Sequence, residues 1–428
     1  MINKLNTQFT RNITLLMTGT AIAQVLTLLA APVLSRLYTP ASFGILSLFT
    51  AIISVLTSIS TFKFELSIVL PKKTTDASQL LYLSIITTAA VSLLSLVISF
   101  SLIDSGLLQR LNIQEIEPFL LWIPVSILLI GMYNSLNYWS TRKKSFKRLS
   151  ISQTVRSLGI VGGQLAGGLL KLGPVGLILG QILGQFLATF ILSSQIFRED
   201  RRIFNSPKFI RMKELFKEYK EFPLYNAPQA FINSISQNAP AFILALYFSP
   251  TIVGFYAICI RFLMLPFNLI GESVRRVYFQ KAAELENTQG NVFNLFKKVT
   301  LGLAAIAVIP IFLLITFGPD LFSVVLGREW EDAGIYARWM AISLFVGFFN
   351  IPSIVSIQMY KLQKYLLFYE VGLLVFRVVA LVIGGIINNP LVSIISYSLV
   401  GFFFNSLLIA FVFYYFKVKY PYRGGNSE

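Results

Sequence analysis

The sequence predicts an all-α integral membrane protein with about twelve transmembrane helices, in two parallel-related six-helix halves around a central cavity. Three observations support this fold class: long charge-free runs, basic residues concentrated in alternate connecting segments, and a turn motif that occurs once in each half. The 428 residues are 55 % hydrophobic and 13 % charged, with a mean hydropathy of +0.71. Soluble domains carry about 25 % charged residues, so most of this chain is suited to an apolar environment.

The charge-free runs define the membrane spans, because roughly 20 apolar residues cross a hydrocarbon core about 30 Å thick. The two longest runs, 222–260 and 378–416, each contain two spans, divided at Ser249-Pro250 and at Asn388-Asn389-Pro390. The predicted spans lie near 13–35, 43–70, 79–103, 118–139, 149–170, 173–197, 223–248, 252–274, 299–318, 338–360, 365–386 and 390–416.

The positive charge is distributed unevenly between the connecting segments. In a soluble chain a net charge of +17 would suggest a nucleic-acid partner, but here it follows the positive-inside rule. Most of the 36 Lys and Arg residues fall before the first span, after the last, and in every second connecting segment. We therefore expect both termini in the cytoplasm, a bacterial inner-membrane location and no nucleic-acid partner.

An internal repeat predicts the domain organisation. Residues 37–44 and 246–254 both join a Leu-Tyr pair to Pro-x-x-x-Gly, at an offset of about 210 residues. Six spans per half give both halves the same orientation, an arrangement found in secondary transporters whose substrate binds between the halves. The predicted parts are an N-terminal half (1–197), a basic cytoplasmic linker (198–222) and a C-terminal half (223–428).

The linker contains an amphipathic pattern. Apolar residues recur at helical spacing, with basic residues mostly on the opposite face, which predicts a helix lying on the inner leaflet. The alternative is a solvated tether whose lysines only fix topology. The apolar residues are Phe209, Met212, Phe216 and Tyr219, and the basic ones are Lys208, Arg211, Lys213, Lys217 and Lys220.

No pattern of an enzyme site is present. The sequence has no histidine and a single cysteine, Cys259, inside a predicted span. It contains no phosphate-binding loop and no paired-carboxylate or nucleophile arrangement. We therefore expect no catalytic residues, no metal site and no cofactor.

Basic residues inside the spans are the strongest functional signal, because a charge at the bilayer centre costs roughly 2.5–3.5 kcal/mol on insertion scales. Arg261 and Arg377 are placed near the midplane, and Lys63 and Arg156 toward the inner side. Arginine's fixed charge and forked donors suit phosphate oxygens. We interpret the four as lining an inward-facing cationic cavity for a pyrophosphate-linked head group. The alternatives are structural ion pairs for the two deep arginines and snorkelling for Arg156.

Three carboxylates accompany these cations: Glu65, Glu272 and Glu370. Each is a candidate counter-charge or coupling-ion ligand, and the alternative for Glu272 and Glu370 is an interfacial position. Lys63 and Glu65 are two residues apart, which on a helix makes them poor partners for each other.

Small residues and prolines predict close helix contacts and bends. Gly176, Gly180 and Gly184 form a small-residue stripe on the sixth span, and the fifth span carries Gly162, Gly163, Gly167 and Gly168. Pro32, Pro228 and Pro240 make the first and seventh spans bendable.

Several stretches resemble the polysaccharide flippase branch of the multidrug/oligosaccharidyl-lipid/polysaccharide exporter superfamily, the Wzx-type O-antigen flippases. The most specific is Phe62-Lys63-Phe64-Glu65-Leu66 followed by Pro71. The others are Arg36 to Gly44, Gly176 to Gln181, Gly254 to Arg261 with Pro266, and Gly327 to Trp330 with Ala333-Gly334.

The resemblance implies twelve helices around a cationic lumen, alternating access, and an undecaprenyl-diphosphate-linked oligosaccharide of the O-antigen, lipopolysaccharide or capsule type as substrate. It also implies coupling to a H⁺ or Na⁺ gradient, polymerase and chain-length proteins as partners in the glycan pathway, and a monomeric protein.

Three competing interpretations come from other functional classes. A drug/cation antiporter of the same superfamily would need an acidic, aromatic pocket, whereas the deep charges here are mainly basic. A membrane glycan polymerase or ligase would present a sizeable outer loop with catalytic groups, and the predicted outer loops are short. A structural membrane subunit would not need arginines at the midplane.

Overall fold

The computed structural model describes residues 24–201, 207–264 and 270–419, and these are helical through most of their length. The chain divides into two compact units, Met1–Leu246 and Tyr247–Glu428. Residues 13–23 of the first predicted span lie outside the described residues, and so does Pro266. The boundaries predicted at 198 and 222 stay predictions.

The first unit contains long antiparallel helices joined by short turns. A 3₁₀ turn, Gln114–Phe119, precedes α6, and a π turn, Phe222–Asn226, precedes α10. The helices are α1 Gln24–Leu37, α2 Pro40–Ser60, α3 Phe64–Ser67, α4 Thr74–Asp104, α5 Leu107–Arg110, α6 Trp122–Arg142, α7 Phe146–Leu169, α8 Pro174–Asp200, α9 Phe209–Glu218 and α10 Ala227–Tyr247.

The second unit is also built from helices joined by short turns. A 3₁₀ turn, Arg328–Trp330, leads into α14, and a π turn, Tyr415–Lys419, follows the last helix. The helices are α11 Pro250–Leu263, α12 Glu272–Asn287, α13 Val292–Leu326, α14 Glu331–Phe349, α15 Ile351–Met359, α16 Gln363–Ile386 and α17 Pro390–Tyr414.

Seven helical stretches among the described residues are long and apolar enough to cross a membrane. They are α2, α4, α8, α13, Arg328–Met359 (α14 with α15), α16 and Pro390–Val418 (α17). α1 and α11 are apolar but shorter, and α6, α7 and α10 are 21, 24 and 21 residues long with more polar residues. Within the described residues these twelve stretches coincide with the predicted spans, so the all-helical membrane fold class is confirmed.

Two predicted spans are interrupted. α2 ends at Ser60 because Phe62 and Lys63 adopt left-handed backbone angles, with φ of 49° and 62°, which an α-helix of L-residues does not continue through. The prediction of one continuous span over 43–70 is wrong in this respect. Of the eighth predicted span, 252–274, the structure has α11 to Leu263 and the start of α12, and residues 265–269 lie outside the described residues.

Prolines bend the helices of the second unit. α13 contains a non-helical residue, Phe317 (φ −114°, ψ 15°), two residues before Pro319. α14 and α15 separate at Asn350, two residues before Pro352. Proline removes a backbone donor and its ring clashes with the carbonyl four residues earlier, so each break falls in the turn that precedes a proline.

α7 and α8 pack antiparallel through facing glycines. A Cβ atom on the α7 member of each pair would lie between 2.6 and 2.8 Å from the Cα atom of its α8 partner, so any side chain there would push the helices apart. The close packing predicted for the sixth-span stripe is confirmed. Gly162 faces open space, so its inclusion in this contact was wrong, and Gly159 takes its place. The pairs are Gly159 with Gly184, Gly163 with Gly180, and Gly167 with Gly176.

The repeated turn motif has the same local structure in both units. Thr39 (φ −71°, ψ 157°) precedes Pro40 at the start of α2, and Ser249 (φ −68°, ψ 157°) precedes Pro250 at the start of α11. In each case an extended residue ends one helix and proline, with its fixed φ, begins the next.

The tyrosine of each motif also packs in the same way. Tyr38 lies against Gly168, where a Cβ atom would be 3.0 Å from its ring, and Tyr247 lies against Gly385, where a Cβ atom would be 2.6 Å from Cδ1. The glycines preceding these two make the neighbouring helix contacts: Gly167 packs on Gly176, and Gly384 packs on Ser393. Each unit therefore contains a contact of a turn-motif tyrosine with a helix glycine, Tyr38 with Gly168 and Tyr247 with Gly385, which we call the tyrosine-on-glycine joint.

The linker helix α9 is docked on the first unit. Its Met212 and Leu215 side chains are buried, and Leu215 belongs to the same core cluster as Phe64 and Trp139. Arg211 binds both carboxylate oxygens of Asp76, with Nε–Oδ1 at 3.0 Å and Nη2–Oδ2 at 2.9 Å. An amphipathic linker helix was predicted, and the structure adds that one of its faces packs on protein.

Candidate functional site

Lys63 lies in the turn after α2, and Glu65 lies in the short helix α3 that follows it. The Lys63 Nζ atom is 3.6 Å from Glu65 Oε1, and Glu65, which is buried, also accepts a hydrogen bond from the Thr61 hydroxyl. The prediction that Lys63 and Glu65 are poor partners is wrong, because it assumed a helix that in fact ends at Ser60. Lys63 is thereby neutralised by its neighbour.

α6 holds this turn in place. The guanidinium Nη1 of Arg142 donates to the carbonyl oxygens of Ile68 at 3.1 Å and Val69 at 3.0 Å. Phe64 and Ile68 are fully buried on either side of Glu65. The Lys-x-Glu-Leu stretch is therefore a fixed structural turn rather than part of a continuous helix.

Arg156 lies on α7 among apolar and aromatic neighbours. Its guanidinium carbon is 5.9 Å from the centroid of the Tyr133 ring, and the Tyr133 hydroxyl is 3.1 Å from Ser152 Oγ. The Arg156 Nε atom is buried and has no hydrogen-bond partner among the described residues. No described carboxylate forms an ion pair with it, so this cation is partly desolvated without being neutralised.

Arg377 on α16 has a similar environment in the second unit. Its guanidinium carbon is 4.6 Å from the Tyr397 ring centroid, and Nη2 donates to Ser343 Oγ at 3.4 Å. Its Nε atom is also buried without a hydrogen-bond partner among the described residues. A Cβ atom on Gly401 would lie 2.5 Å from Nη2, so this glycine leaves the space that the guanidinium occupies.

Arg261 lies on α11 and is half-buried. Five residues earlier on the same helix, the Tyr256 ring makes an edge contact with Tyr397, at a centroid distance of 6.4 Å. Tyr397 is thus shared between the helix of Arg261 and the guanidinium of Arg377.

Of the two remaining carboxylates, only the Glu370 side chain lies among the described residues. Glu370 is exposed on α16 and forms no ion pair with a described residue. The side chain of Glu272 lies outside the described residues, so its predicted role stays a prediction. Of the predicted site residues, Lys63, Glu65 and Arg156 belong to the first unit, and Arg261, Glu370 and Arg377 to the second.

A buried polar chain continues from the Arg377 environment. Asn405 Oδ1 accepts from Asn350 Nδ2 at 2.9 Å and from the Tyr369 hydroxyl at 3.0 Å, and Asn405 Nδ2 donates to Gly401 O at 2.7 Å. Asn350 is fully buried, and its Oδ1 atom has no partner among the described residues. The sequence marks Asn350 only as one generic polar residue in a span.

Sequence reasoning also missed a charge cluster at the ends of α7 and α8. Arg148 donates to Asp200 Oδ2 at 2.8 Å and to Glu199 Oε2, and Trp139 Nε1 donates to Asp200 Oδ2 at 3.1 Å. Arg148 and Asp200 are both buried. The available signal was two consecutive carboxylates in an otherwise basic segment.

Each unit therefore has an arginine that can present positive charge inside its own helical bundle. Arg156 and Arg377 lie over tyrosine rings and lack a carboxylate partner among the described residues, whereas Arg148 is fully paired. Phosphate oxygens would satisfy such guanidinium groups better than any neutral ligand. The described residues contain no group of three or more His, Cys, Asp or Glu side chains that could hold a metal ion.

Known structures share this fold at low sequence identity. A multidrug resistance MATE family transporter of the MOP superfamily, inward-facing, matches with a TM-score of 0.65 and 14 % identity, over 93 % of this chain and 98 % of that one. The lipid II flippase MurJ, in an inward closed conformation, gives 0.71 and 13 %, over 93 % and 87 %. A MOP superfamily transporter from Pyrococcus furiosus, described as having a binding pocket of reverse polarity, gives 0.51 and 13 %, over 95 % and 96 %.

These likenesses establish the transporter fold, and the family follows from the sequence itself. No curated protein matches the chain. The family model described as "Polysaccharide biosynthesis protein" matches residues 33–335, which is more than half of the chain and contains Lys63, Arg156 and Arg261. The resemblance stated from the sequence is thus confirmed for family and fold, and the chain belongs to the polysaccharide biosynthesis protein family.

Proposed function

We propose that this protein is a flippase for an undecaprenyl-diphosphate-linked oligosaccharide, an O-antigen or capsule repeat unit. It moves the substrate from the cytoplasmic to the periplasmic leaflet of the bacterial inner membrane by alternating access. The observation that carries the proposal is the pair of intramembrane arginines, Arg156 and Arg377, which lack a carboxylate partner among the described residues. Membership of a polysaccharide family supports a glycan substrate.

The charge of the substrate follows from the cost of these arginines. An intramembrane arginine costs roughly 2.5–3.5 kcal/mol on insertion scales, and it is usually offset by a partner or a polar cavity. A diphosphate supplies several anionic oxygens, to which guanidinium forks bind in bidentate fashion. The polyprenyl tail would remain in lipid while the diphosphate passes the cations.

The drug/cation antiporter is the second candidate, because one structural neighbour is a multidrug transporter. A cationic drug would be repelled by Arg156 and Arg377, and Glu65, the buried acidic residue among the predicted site residues, is paired with Lys63. Similarity to the lipid II flippase MurJ is compatible with a lipid-linked substrate.

Energy coupling and partners complete the proposal. The chain uses a H⁺ or Na⁺ gradient, has no enzymatic activity of its own and works as a monomer. The polymerase and chain-length proteins of the glycan pathway act on the delivered repeat units. Both termini face the cytoplasm.

Reconstituted vesicles test the proposal directly. Arg261→Ala or Arg377→Ala should abolish flipping of a fluorescent undecaprenyl-diphosphate oligosaccharide, and Arg156→Ala should lower its initial rate at least about tenfold, because each removes a charged donor to phosphate. The matched control is Arg110→Ala, an exposed arginine outside the spans. If both the Arg261 and the Arg377 variants insert normally and flip the substrate at an unchanged rate, the proposal is contradicted.

The lipid-linked intermediate separates the flippase from a polymerase in cells. Loss of a flippase should leave finished single repeat units on the inner leaflet. Loss of a polymerase should leave single units that reach the outer surface, an outcome that would contradict the proposed function.

A further inference from the structure

A groove lies between the linker helix α9 and the membrane-spanning helix α4. Its volume is about 380 Å³, within the range of about 300–1,000 Å³ for small-molecule sites. Five of its six lining residues are apolar, and the sixth is a lysine. They are Leu83, Ile86, Phe209, Met212, Lys213 and Phe216.

The floor of the groove lies at acyl-chain depth. Leu83 and Ile86 follow the start of α4 at Thr74 by 9 and 12 residues, or roughly 14 and 18 Å along the helix. Half of a hydrocarbon core is about 15 Å thick. Ile86 is 51 % exposed, and only 22 % of the most apolar window of α4 is buried, so this surface faces lipid.

Polar contacts attach α9, which forms one wall of the groove, near the start of α4. The Arg211–Asp76 pair fixes α9 beside the first turn of α4, and the Lys208 backbone N–H donates to Gln79 Oε1 at 2.8 Å. The Arg211 pKa is raised above its ordinary value by hydrogen bonds to Asp76 and Glu214. Arg211 is therefore already paired with carboxylates, and it holds α9 against α4 without needing a lipid.

Lys213 is the charge that remains available in the groove. It is exposed, and it forms no ion pair with a described residue. The sequence placed it mostly opposite the apolar face, whereas the structure places it among Phe209, Met212 and Phe216. A cation beside an apolar groove matches a phosphate attached to an acyl chain.

We propose that this groove binds one anionic phospholipid of the inner leaflet, its phosphate on Lys213 and an acyl chain between α4 and Phe209. The Phe209 side chain is 79 % exposed, which a lipid chain would cover. The inference concerns the surrounding membrane lipid and not the transported one, so the two proposals can fail separately.

The experiment uses the full chain in phosphatidylcholine vesicles containing phosphatidylglycerol with a photoactivatable acyl chain. Cross-links should map to Phe209, Leu83 or Ile86, and unlabelled phosphatidylglycerol should compete better than phosphatidylcholine. Lys213→Gln should lower the preference for phosphatidylglycerol over phosphatidylcholine about fivefold. This corresponds to about 1 kcal/mol for one lysine near a membrane surface. The matched control, Lys220→Gln, removes an exposed lysine outside the groove and should leave the preference for phosphatidylglycerol unchanged.

A second pair of variants tests the groove without changing charge. Ile86→Trp fills it and should reduce the α9 cross-links, whereas Ile98→Trp adds the same bulk at another lipid-facing position of α4 and should not. The inference would be overturned if the two lysine variants, or the two tryptophan variants, had equal effects. It would also be overturned if phosphatidylcholine competed as well as phosphatidylglycerol, or if undecaprenyl diphosphate displaced the labelled lipid and phosphatidylglycerol did not.

Discussion

The buried cations of this protein differ in what surrounds them. Arg148 lies between two carboxylates and beside an indole donor, whereas Arg156 and Arg377 lie over tyrosine rings. A cation over an aromatic face gains about 0.5–2 kcal/mol, less than a desolvated charge requires. We therefore expect the first kind of arginine to stabilise the fold, and we propose that the second kind binds an anion.

The paired arginine gives a stability prediction. Arg148→Ala leaves Asp200 buried and without its cation, so we expect the free energy of unfolding to fall by about 3–5 kcal/mol. Arg198→Ala, an exposed arginine on the same cluster's helix, should change it by less than about 0.5 kcal/mol. Thermal unfolding of the two purified variants is the measurement.

A double variant separates the lost ion pair from damage to the backbone. Replacing both partners, Arg148→Met with Asp200→Leu, should recover most of the loss, because no unpaired buried charge remains. Equal unfolding midpoints for Arg148→Ala and Arg198→Ala would show that the cluster does not stabilise the fold.

At the scale of single residues the sequence predicts positions better than partners. The positions of Arg156 and Arg377 inside predicted spans follow from the apolar residues on both sides of each arginine, although internal charge makes these two spans the least clear in the sequence. The Lys63–Glu65 contact does not, because it depends on left-handed angles at two non-glycine residues that no spacing rule indicates. The pairing of Arg148 with Asp200 depends on how α7 and α8 pack, which a single sequence does not specify.

The α7–α8 contact is the clearest case of an element interface set by residue size. Adjacent glycines on α7 have opposite environments: Gly163 is pressed against Gly180, and Gly162 has nothing within 4 Å. They therefore form a matched pair in which only one position should tolerate a methyl group.

Alanine substitutions should thus act in opposite directions. Gly163→Ala should destabilise the protein by about 1–3 kcal/mol through overpacking, and Gly162→Ala should stabilise it by about 0.5–1 kcal/mol through helix propensity. Unfolding midpoints in detergent measure both. A stabilising Gly163→Ala would mean that α7 and α8 are farther apart than described.

Element positions were predictable because hydrocarbon thickness imposes a length on every charge-free run. Breaks inside the spans were less predictable than the positions of the spans. The prolines of α13 and α15 signal theirs, whereas the turn at Phe62-Lys63 has neither proline nor glycine. The linker helix was visible from its periodicity, but Lys213 among its apolar residues was visible only once α9 was seen against α4.

For the whole molecule, the alternation of inner and outer segments can be tested with cysteines. The native Cys259 is fully buried and should not react. Cysteines replacing the exposed Arg110 and Lys171 should react in intact cells with a membrane-impermeant maleimide. Those replacing the exposed Lys144 and Lys361 should react only after the membrane is opened.

The same experiment would expose an error in the span count. If one predicted span did not cross the membrane, every position after it would change sides. Reaction of Lys361→Cys in intact cells, with Arg110→Cys behaving as expected, would place the error between those two residues.

The family could be recognised from short stretches such as Lys63-Phe64-Glu65-Leu66, and the fold class from hydropathy. The glycan could not, because sugars are bound by polar side chains that are common in all spans. Nor could the coupling ion, since H⁺ binds carboxylates and Na⁺ binds carboxylate and amide oxygens, and the grouping of these side chains depends on how the helices pack.

The tyrosine-on-glycine joint suggests a history of duplication. The offset that relates Gly167 to Gly384 also relates Gly168 to Gly385 and Gly176 to Ser393, so the helix contacts beside the two tyrosines repeat in register. The same offset sends Arg156 to Leu373, one helical turn from Arg377 on the same face. The glycine contacts occupy equivalent positions in the two units, whereas Arg156 and Arg377 lie one helical turn apart in this register, so the packing repeats more closely than the charges do.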